Sequence, residues 1–149
     1  MPDLHFEQVR PVGGHAVLCD WQRIHNLIIP TAPLSIDEIG ERARRSHLEV
    51  AYLDGVAVGC STVRPPMGDP ATATVIARVL PDHRRRGFGA QIYQRGLAKA
   101  RELGAQVIET VVLASNADGI QFAQRQGFVE IERYVLPGDT IPFVDLRLA

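Results

Sequence analysis

The chain has 149 residues, of which 46% are hydrophobic and 22% charged, and its net charge is −1. This composition is typical of one globular domain over residues 1–149 and excludes a second full domain. No window approaches the ~20 consecutive apolar residues of a membrane-spanning helix, and the balanced charge disfavours nucleic acid as the main partner. The N-terminal residues lack the basic and apolar regions of a signal peptide. We therefore expect a cytoplasmic protein with neither a membrane nor a nucleic-acid partner.

The cysteines and two of the histidines form no recognisable site. Cys19 and Cys60 are far apart in the sequence and belong to no CxxC or Cys/His cluster, so the pattern indicates neither a redox motif nor a bound metal. We expect both to be buried free thiols. His47 and His83 have no matched partner for nucleophilic or metal chemistry, and we expect them at the surface.

The first half of the chain shows clear turn and capping signals. Ser35 and Glu38 stand at capping-box spacing, Asp54-Gly55 supplies the positive φ angles of a type I′ hairpin turn, and the prolines at 65, 66 and 70 predict a loop. Between these signals the hydrophobic pattern predicts, in chain order, a strand over 4–9, a helix through Trp21 that ends before Pro30, a helix from Ser35 to about Arg45, strands over 48–53 and 56–61, and an apolar strand over 72–80.

The second half continues with a helix over 88–103, a β-branched strand over 107–113, a short helix capped by Asn116, and closing strands over 128–135 and 141–148. A helix between two strands makes a right-handed crossover that joins parallel neighbours. The order β-α-α-β-β-β-α-β-α-β-β therefore predicts an α/β fold with a mixed sheet and a central βαβ unit.

The segment from Val79 to Ala90 leaves a central strand, turns on Gly87 and Gly89 and starts a helix. Glycines let a phosphate approach the backbone, and the unpaired N–H groups of a first helical turn attract anions. The P-loop and dinucleotide motifs do not match this sequence. The segment predicts an anion site, and the alternative is a solvated basic loop whose glycines only permit the turn.

Arg84-x-x-Gly87-x-Gly89, preceded by Val79-x-Pro81, resembles the acetyl-CoA signature of the GNAT superfamily of N-acetyltransferases. Asn116-Ala117-x-Gly119-x-x-Phe122 followed by Gly127-Phe128 resembles a later motif of the same superfamily. The resemblance is specific over residues 72–128. It implies a mostly antiparallel mixed sheet with splayed central strands, acetyl-CoA as the co-substrate, and direct acetyl transfer to a small-molecule or peptide amine. It is also compatible with a homodimer.

The resemblance also implies roles for individual residues. The pantetheine arm would lie between the strands that end at Leu80 and Leu113, and the N–H of Val79 would stabilise the oxyanion. Asn116 would contact the arm, although it is equally well explained as a helix cap. The pyrophosphate would be held by the loop and the first helical turn, comprising Arg84, Arg85, Arg86, Gly87, Phe88, Gly89 and Ala90.

Two positions depart from the superfamily pattern. Ala123 stands where a catalytic tyrosine is frequent, so Tyr134, Tyr93 or water would have to replace it, or the thiolate would leave unaided. Val111 stands where several relatives have a glutamate base. Glu109 lies on the same strand face and is our candidate base, the alternative being a glutamate that is paired with an arginine or solvated.

The site that would bind the amine acceptor is the one that the sequence motifs indicate least clearly. Trp21, His25, Arg64 and the 65–70 loop lie where the fold usually builds it, although a lone tryptophan on a helix is usually core packing. Arg78 stands in an apolar strand. We expect it to form an ion pair, and the alternative is that it recognises the substrate. The leading hypothesis is an N-acetyltransferase, and the rival is an acyl-CoA-binding sensor module that has lost turnover.

Overall fold

The computed structural model describes residues 3–149, and within them the chain forms seven strands, four α-helices and one 3-10 turn at Pro81–His83. In chain order the elements are β1 (His5–Gln8), α1 (His15–Ile28), α2 (Ile36–Arg45), β2 (His47–Leu53), β3 (Val56–Met67), β4 (Thr72–Val79), α3 (Phe88–Glu102), β5 (Val107–Leu113), α4 (Ala117–Arg125), β6 (Phe128–Tyr134) and β7 (Phe143–Leu148). The predicted order of helices and strands is confirmed. None of the described helices combines the length and the apolar character that crossing a membrane requires.

The strands form one mixed sheet in the order β1-β2-β3-β4-β5-β7-β6. Only β4 and β5 are parallel, and α3 connects them as the crossover of the predicted βαβ unit. All other neighbours in the described sheet are antiparallel. The mostly antiparallel mixed sheet is therefore confirmed.

The local signals in the sequence produce the predicted geometry. Ser35 Oγ accepts a hydrogen bond from the Glu38 N–H at 3.1 Å, and Glu38 Oε1 accepts one from the Ser35 N–H at 3.0 Å, which completes the capping box. Asp54 and Gly55 have φ angles of 49° and 81°, as a type I′ turn requires.

The predicted loop over 65–70 is partly wrong, because β3 continues to Met67. The ladder between β3 and β4 is irregular between Arg64 and Met67, where the prolines lie, and resumes at the pair Met67 and Thr72. Proline cannot donate to a ladder but is accommodated at such a break. The connection to β4 is therefore shorter than the sequence suggests.

Helices cover both faces of the sheet. The first face packs α1 and α2 on β2 and β3 through fully buried side chains that include Trp21, Ile24 and Leu48. Trp21 is a core residue whose Nε1 donates to the Ser61 carbonyl at 3.2 Å. The second face packs α3 and α4 on the sheet around Val75 and Phe128. Because paired residues of neighbouring strands share a face, these contacts assign each strand residue to one side.

Three side chains differ from their predicted exposure. Cys19 is only half-buried, whereas Cys60 is buried as predicted. His47 is mostly shielded because its Nε2 lies 3.2 Å from Glu49 Oε2. His83 is half-buried, and its Nδ1 is fully buried without a hydrogen-bond partner among residues 3–149. His47 and Glu49 stand two residues apart on β2 and so share a strand face, a local contact that the sequence analysis did not use.

Candidate active site

The sheet opens into a wedge between β4 and β5. The two strands pair only at Thr72–Thr74 with Val107–Glu109, and beyond these residues they diverge. A cavity of about 450 Å³ occupies the gap, with walls from both strands, the loop before α3, and α4 with its N-cap. The splayed strands that the resemblance implies are therefore present, and they leave backbone groups without a strand partner.

The register of β3 and β4 shows which backbone groups face this gap. The Leu80 N–H donates to the Val58 carbonyl at 2.9 Å. Hydrogen-bonding directions alternate along an antiparallel strand, so the N–H groups of Ala77 and Val79 point away from β3 and toward β5. The Val79 carbonyl accepts from Arg84 Nε at 2.9 Å. Val79 thus presents a backbone donor to the wedge, and this N–H is the one for which the family resemblance implies a role as oxyanion donor.

The loop before α3 carries the positive end of that helix. Gly87 is the N-cap, with φ of 82°, and no side chain caps the first turn. Arg85 also has a positive φ, 63°, which is uncommon for a residue with a side chain. Four arginines but a single carboxylate, Asp118, line the described cavity. This arrangement suits a polyanion such as a pyrophosphate.

Some of the predicted cofactor-binding residues line the cavity and others do not. Most of the predicted cofactor-binding residues line the cavity, namely Val79, Arg84, Arg85, Gly87, Phe88, Gly89 and Asn116. Arg86 instead lies over the Phe88 ring, with its guanidinium carbon 4.9 Å from the ring centroid. Ala90 follows in the helix and is not part of the lining.

The motif glycines also have packing roles. A Cβ on Gly89 would lie 2.8 Å from the Phe122 ring, so the close approach of α3 and α4 requires glycine there. A Cβ on Gly119 would lie 2.5 Å from the Asn116 amide. The Asn116 side-chain oxygen accepts from the Gly119 N–H at 3.0 Å. Asn116 is therefore a helix cap that also lines the cavity, with its NH₂ group still able to donate.

Ala123, at the tyrosine position of the motif, faces the core. It is the fully buried residue of α4 and belongs to the same core cluster as Tyr93 and Phe128. Tyr93 lines the cavity instead and stacks on Phe122 with ring centroids 5.5 Å apart. Its hydroxyl lies 3.3 Å from Thr110 Oγ1. Burial raises the pKa of Tyr93, so the phenol is protonated at neutral pH.

Glu109, the candidate base, lies where β4 and β5 are still paired and is not part of the cavity lining. Arg147 donates to its Oε2 from Nε at 3.0 Å and from Nη2 at 2.7 Å. The arginine-paired alternative considered from the sequence is therefore the geometry observed. Oε1 makes no hydrogen bond among the described residues.

Asp145 is a carboxylate that sequence analysis missed. It pairs across the sheet with Val111, which lines the cavity, and accepts from the Tyr134 hydroxyl at 3.1 Å. Burial, together with the nearby charges of Glu109 and Glu132, raises the pKa of Asp145 despite the bond from Tyr134. Asp145 thus occupies the strand next to the position where relatives carry a base. Only the register of β5 and β7 reveals this, and no local motif encodes that register.

Arg78 lines the cavity and forms no ion pair within residues 3–149. The ion pair expected from the sequence is therefore wrong. Nearby, His25 stacks on Trp21 with ring centroids 5.2 Å apart. Burial lowers the pKa of His25 to about 4, and the charges of Arg78 and Arg42 act in the same direction. His25 is neutral at pH 7.

An α/β sheet opened between two parallel strands, with an anion-binding helix N-terminus beside the opening, defines a class of acyl-CoA-dependent transferases. The chain matches the model of the acetyltransferase (GNAT) family over residues 15–128. It belongs to the GNAT acetyltransferase family. Acetyl-CoA is the co-substrate of this family, and the wedge, the Val79 donor and the cationic loop fit it.

Solved structures share this fold. A Salmonella typhimurium protein, yncA, assigned as an acetyltransferase and solved with acetyl-CoA, is 18% identical, with a TM-score of 0.75 and coverage of 97% of this chain and 92% of that one. An N-acetyltransferase of Staphylococcus aureus Mu50 is 18% identical, with a TM-score of 0.75 and 98% coverage of each chain. The ribosomal-protein-S18-alanine N-acetyltransferase of Escherichia coli is 18% identical, with a TM-score of 0.74 and coverage of 98% and 93%. A comparison with curated proteins gives no match.

Proposed function

We propose that the protein is an N-acetyltransferase that moves the acetyl group of acetyl-CoA directly to a primary amine. The observation that carries this proposal is the wedge between β4 and β5, which has the Val79 N–H on one wall and the positive N-terminus of α3 beside it. Acetyl-CoA supplies an activated thioester when it is bound. The chain would supply positioning, charge stabilisation and proton transfer.

Binding is assigned to the loop and to the free backbone of the wedge. The N–H groups of residues 85–90, together with Arg84 and Arg85, would hold the pyrophosphate, because charge-assisted hydrogen bonds to an anion are strong. The Asn116 NH₂ would donate to the pantetheine arm. The amides of Ala77 and Val79 have no strand partner on that side, so an extended arm could occupy the place of a strand.

Charge stabilisation is assigned to Val79. When an amine attacks a thioester carbonyl, negative charge develops on the carbonyl oxygen, and a fixed N–H donor lowers the barrier because it needs no reorganisation. Val79 is held by its antiparallel pairing to β3 and by the bond from Arg84. No covalent enzyme intermediate is required.

Proton removal is assigned to the face that carries Val111. An alkylamine with a pKa near 10.4 is almost wholly protonated at pH 7, so a group must accept a proton before or during attack. Glu109 and Asp145 are the candidates on this face. Asp145 is favoured because its pKa is raised above its ordinary value and because it lies beside Val111, whereas Glu109 is held by Arg147.

The rival function is an acyl-CoA sensor without turnover, since the family's frequent tyrosine and glutamate positions hold Ala123 and Val111. Two measurements separate the functions. Acetyl-CoA at 100 times its dissociation constant should stabilise the fold by ~2.7 kcal/mol under either function. Release of thiol from acetyl-CoA that depends on an added amine, followed across an amine panel, occurs only with the enzyme. Binding without amine-dependent thiol release would favour the sensor.

A further inference from the structure

Three arginines from three elements lie on the side of the sheet that α1 and α2 cover. Arg78 pairs across the strands with Cys60, and Cys60 packs in the core under α1 and α2. Arg64 lies four residues further along β3 with the same side-chain parity, so it faces the same side. Arg42 comes from α2. Helix α2 packs over this face through Ile39, and burial together with the charges of Arg64 and Arg78 lowers the pKa of Arg42.

None of the three is neutralised by a carboxylate within residues 3–149. Every described ion pair of the chain lies elsewhere. The acids whose charges reach them are Glu38 toward Arg42 and Asp145 toward Arg64, and both lie beyond ion-pair distance. Like charges without a partner repel, and the repulsion is screened least at the half-buried Arg42 and Arg78, whereas Arg64 is exposed. An anion from outside the chain would remove that repulsion.

A buried hydroxyl on the same face of β3 also lacks a partner in the described part of the chain, although it is not part of the cavity lining. Thr62 lies between Cys60 and Arg64 on the same face of β3, and its side chain is 3% exposed. Its Oγ1 is buried and has no hydrogen-bond partner among the described residues. A buried hydroxyl without a partner is unfavourable. The ligand that neutralises the arginines would also lie close to a group that lacks a hydrogen bond.

The cluster is connected to the wedge but separate from the pyrophosphate loop. Arg78 lines the cavity directly after Ala77 and before Val79, so its guanidinium borders the place assigned to acetyl transfer. Helix α3, whose N-terminus forms the loop, covers the opposite face of the sheet. The arginines are therefore on the side from which an acceptor would approach, where the phosphates of CoA are not expected.

We propose that the acceptor is an amine that carries its own oxyanion, as an amino acid or an aminophosphonate does, and that Arg78, Arg64 and Arg42 bind this oxyanion. The inference rests on the proposed function. A planar guanidinium matches a carboxylate with two parallel hydrogen bonds. Because Arg64 also lies within electrostatic reach of Asp145, an oxyanion on the arginines would bring the amine of the same small molecule toward the proposed base.

The test uses pairs of amines that differ only in charge. L-Amino acids are each compared with their own carboxamide, and an aminoalkylphosphonate provides the second oxyanion. Thiol release is measured at equal concentrations of neutral amine, so that the different amine pKa values do not decide the result. We expect KM to be about 10- to 100-fold lower for the oxyanion forms, the effect of one to two charge-assisted hydrogen bonds.

Variants test whether Arg78, Arg64 and Arg42 cause the lower KM for amines that carry an oxyanion. Arg78→Gln should abolish it, and Arg78→Lys should keep part of it, since lysine retains charge but not the fork. Arg64→Gln should weaken it, and because Arg64 is exposed this change cannot unfold the chain. Arg101→Gln, on the exposed end of α3, removes one charge far from the site and should leave KM unchanged. Melting temperatures verify that each variant is folded.

The outcomes are distinguishable. A wild-type protein that uses carboxamides as well as carboxylates, or a preference that survives in both Arg78→Gln and Arg64→Gln, overturns the oxyanion site while the acetyltransferase stands. If no amine in the panel releases thiol although acetyl-CoA binds, the proposed function fails, and the site is then judged by calorimetry on CoA-saturated protein. Binding of the carboxylate forms that is lost in Arg78→Gln supports the site, and absence of that binding overturns it.

Discussion

Arg85 shows how one residue can combine backbone strain with ligand binding. Its φ of 63° is unfavourable for a side chain, yet its position lines the cavity beside the Gly87 N-cap. We predict that Arg85→Gly lowers affinity for acetyl-CoA by about 10- to 100-fold, because a charge-assisted contact to the pyrophosphate is lost. The unliganded melting temperature should stay unchanged or rise, since glycine adopts this φ freely. Calorimetric titration and thermal melting measure the two effects.

Arg86 provides the comparison for this prediction. Its guanidinium lies over Phe88 and is not part of the cavity lining, so Arg86→Gln should lower affinity less than Arg85→Gly. Equal affinities of wild type and Arg85→Gly would contradict the pyrophosphate assignment. Gly89 is unsuitable for this purpose, because a side chain there would clash with Phe122 and disturb the packing of α3 on α4.

The base is tested by two conservative substitutions on one sheet face. Asp145→Asn keeps an acceptor for the Tyr134 hydroxyl and removes the basicity. We expect kcat/KM to fall by roughly 100-fold or more and the acidic limb of the pH profile to move or vanish. Glu109→Gln should leave the acidic limb in place, since Arg147 holds Glu109 with two hydrogen bonds, whereas neither Glu109 nor Asp145 is itself part of the cavity lining. The reverse pattern would make Glu109 the base, as the sequence alone suggests.

Tyr93 tests whether the thiolate needs an acid. A thiol with a pKa of about 8.5 leaves readily near neutral pH, so Tyr93→Phe should lower kcat by less than about 10-fold, although Tyr93 lines the cavity. The loss of kcat is measured in steady-state assays at saturating substrates. A fall of about 100-fold or more, typical of a lost general acid, would show that Tyr93 takes the role of the missing tyrosine.

At the residue scale, the sequence was informative where a motif is local. The loop from Val79 to Gly89 and the Asn116 cap lie within short segments whose spacing carries the chemistry, and most of these residues line the cavity. Arg78 and Asp145 depend on the register of strands distant in sequence. The 135–142 connection does not specify how β6 and β7 align, so nothing local placed Asp145 beside Val111.

At the element scale, α3 packs on the sheet through a small residue. A Cβ on Gly96 would lie 2.5 Å from Val75 Cγ1, and the β-branched Val75 has little freedom to move away. Gly96→Ala should therefore destabilise the fold by about 1–3 kcal/mol, as overpacking typically does. Intrinsic helix propensity predicts the opposite sign, a gain of about 1 kcal/mol. Urea unfolding decides between them, and a more stable variant would contradict the tight packing.

The elements themselves were predictable because each has a local cause. Ser35 and Glu38 start α2, Asp54-Gly55 closes the hairpin, and Gly104 has the positive φ of a helix C-terminus at 96°. The end of β3 was not predictable in this way. Pro65 and Pro66 normally interrupt strands, and only the irregular pairing with β4 lets the strand continue past them.

At the scale of the whole molecule, the wedge is held open by the outer neighbours of its two strands. β4 keeps its antiparallel pairing with β3 as far as Val79, and β5 keeps its pairing with β7 as far as Leu113. Each strand therefore satisfies one edge while the other edge stays available for a ligand. Because β7 lies between β5 and β6 in the sheet, the outer partner that holds β5 in place is the last strand in chain order. Neither periodicity nor spacing predicts this divergence, which only the family resemblance implied.

The stability of the whole fold depends on a shielded ion-pair network that links β2 to α3. Arg95 donates to Glu49 through Nε at 2.7 Å and Nη2 at 2.9 Å, and His47 lies 3.2 Å from the same carboxylate. Burial opposes ionisation of Glu49, but the bonds from His47 and Arg95 outweigh it and lower the pKa to about 2. The ordinary value of 4.5 applies to the unfolded chain.

A carboxyl whose pKa is lower in the folded state stabilises the fold above the unfolded pKa, and the stabilisation is lost as the pH falls through the folded pKa. For Glu49 the stabilising contribution is therefore complete at pH 7 and disappears between about pH 4.5 and pH 2. Glu49→Gln should lower the free energy of unfolding at pH 7 by about 1–3 kcal/mol, and its stability should depend less on pH over that acidic range. Urea unfolding from pH 7 to pH 2.5 measures both effects. Glu130→Gln breaks a pair of similar geometry with Arg133 on the exposed strand β6. The pKa of Glu130 is also lowered, but solvent screens this pair, so both effects should be much smaller than in Glu49→Gln. If the free energy of unfolding falls equally with pH in wild type and Glu49→Gln below pH 4.5, carboxylates other than Glu49 cause the acid unfolding.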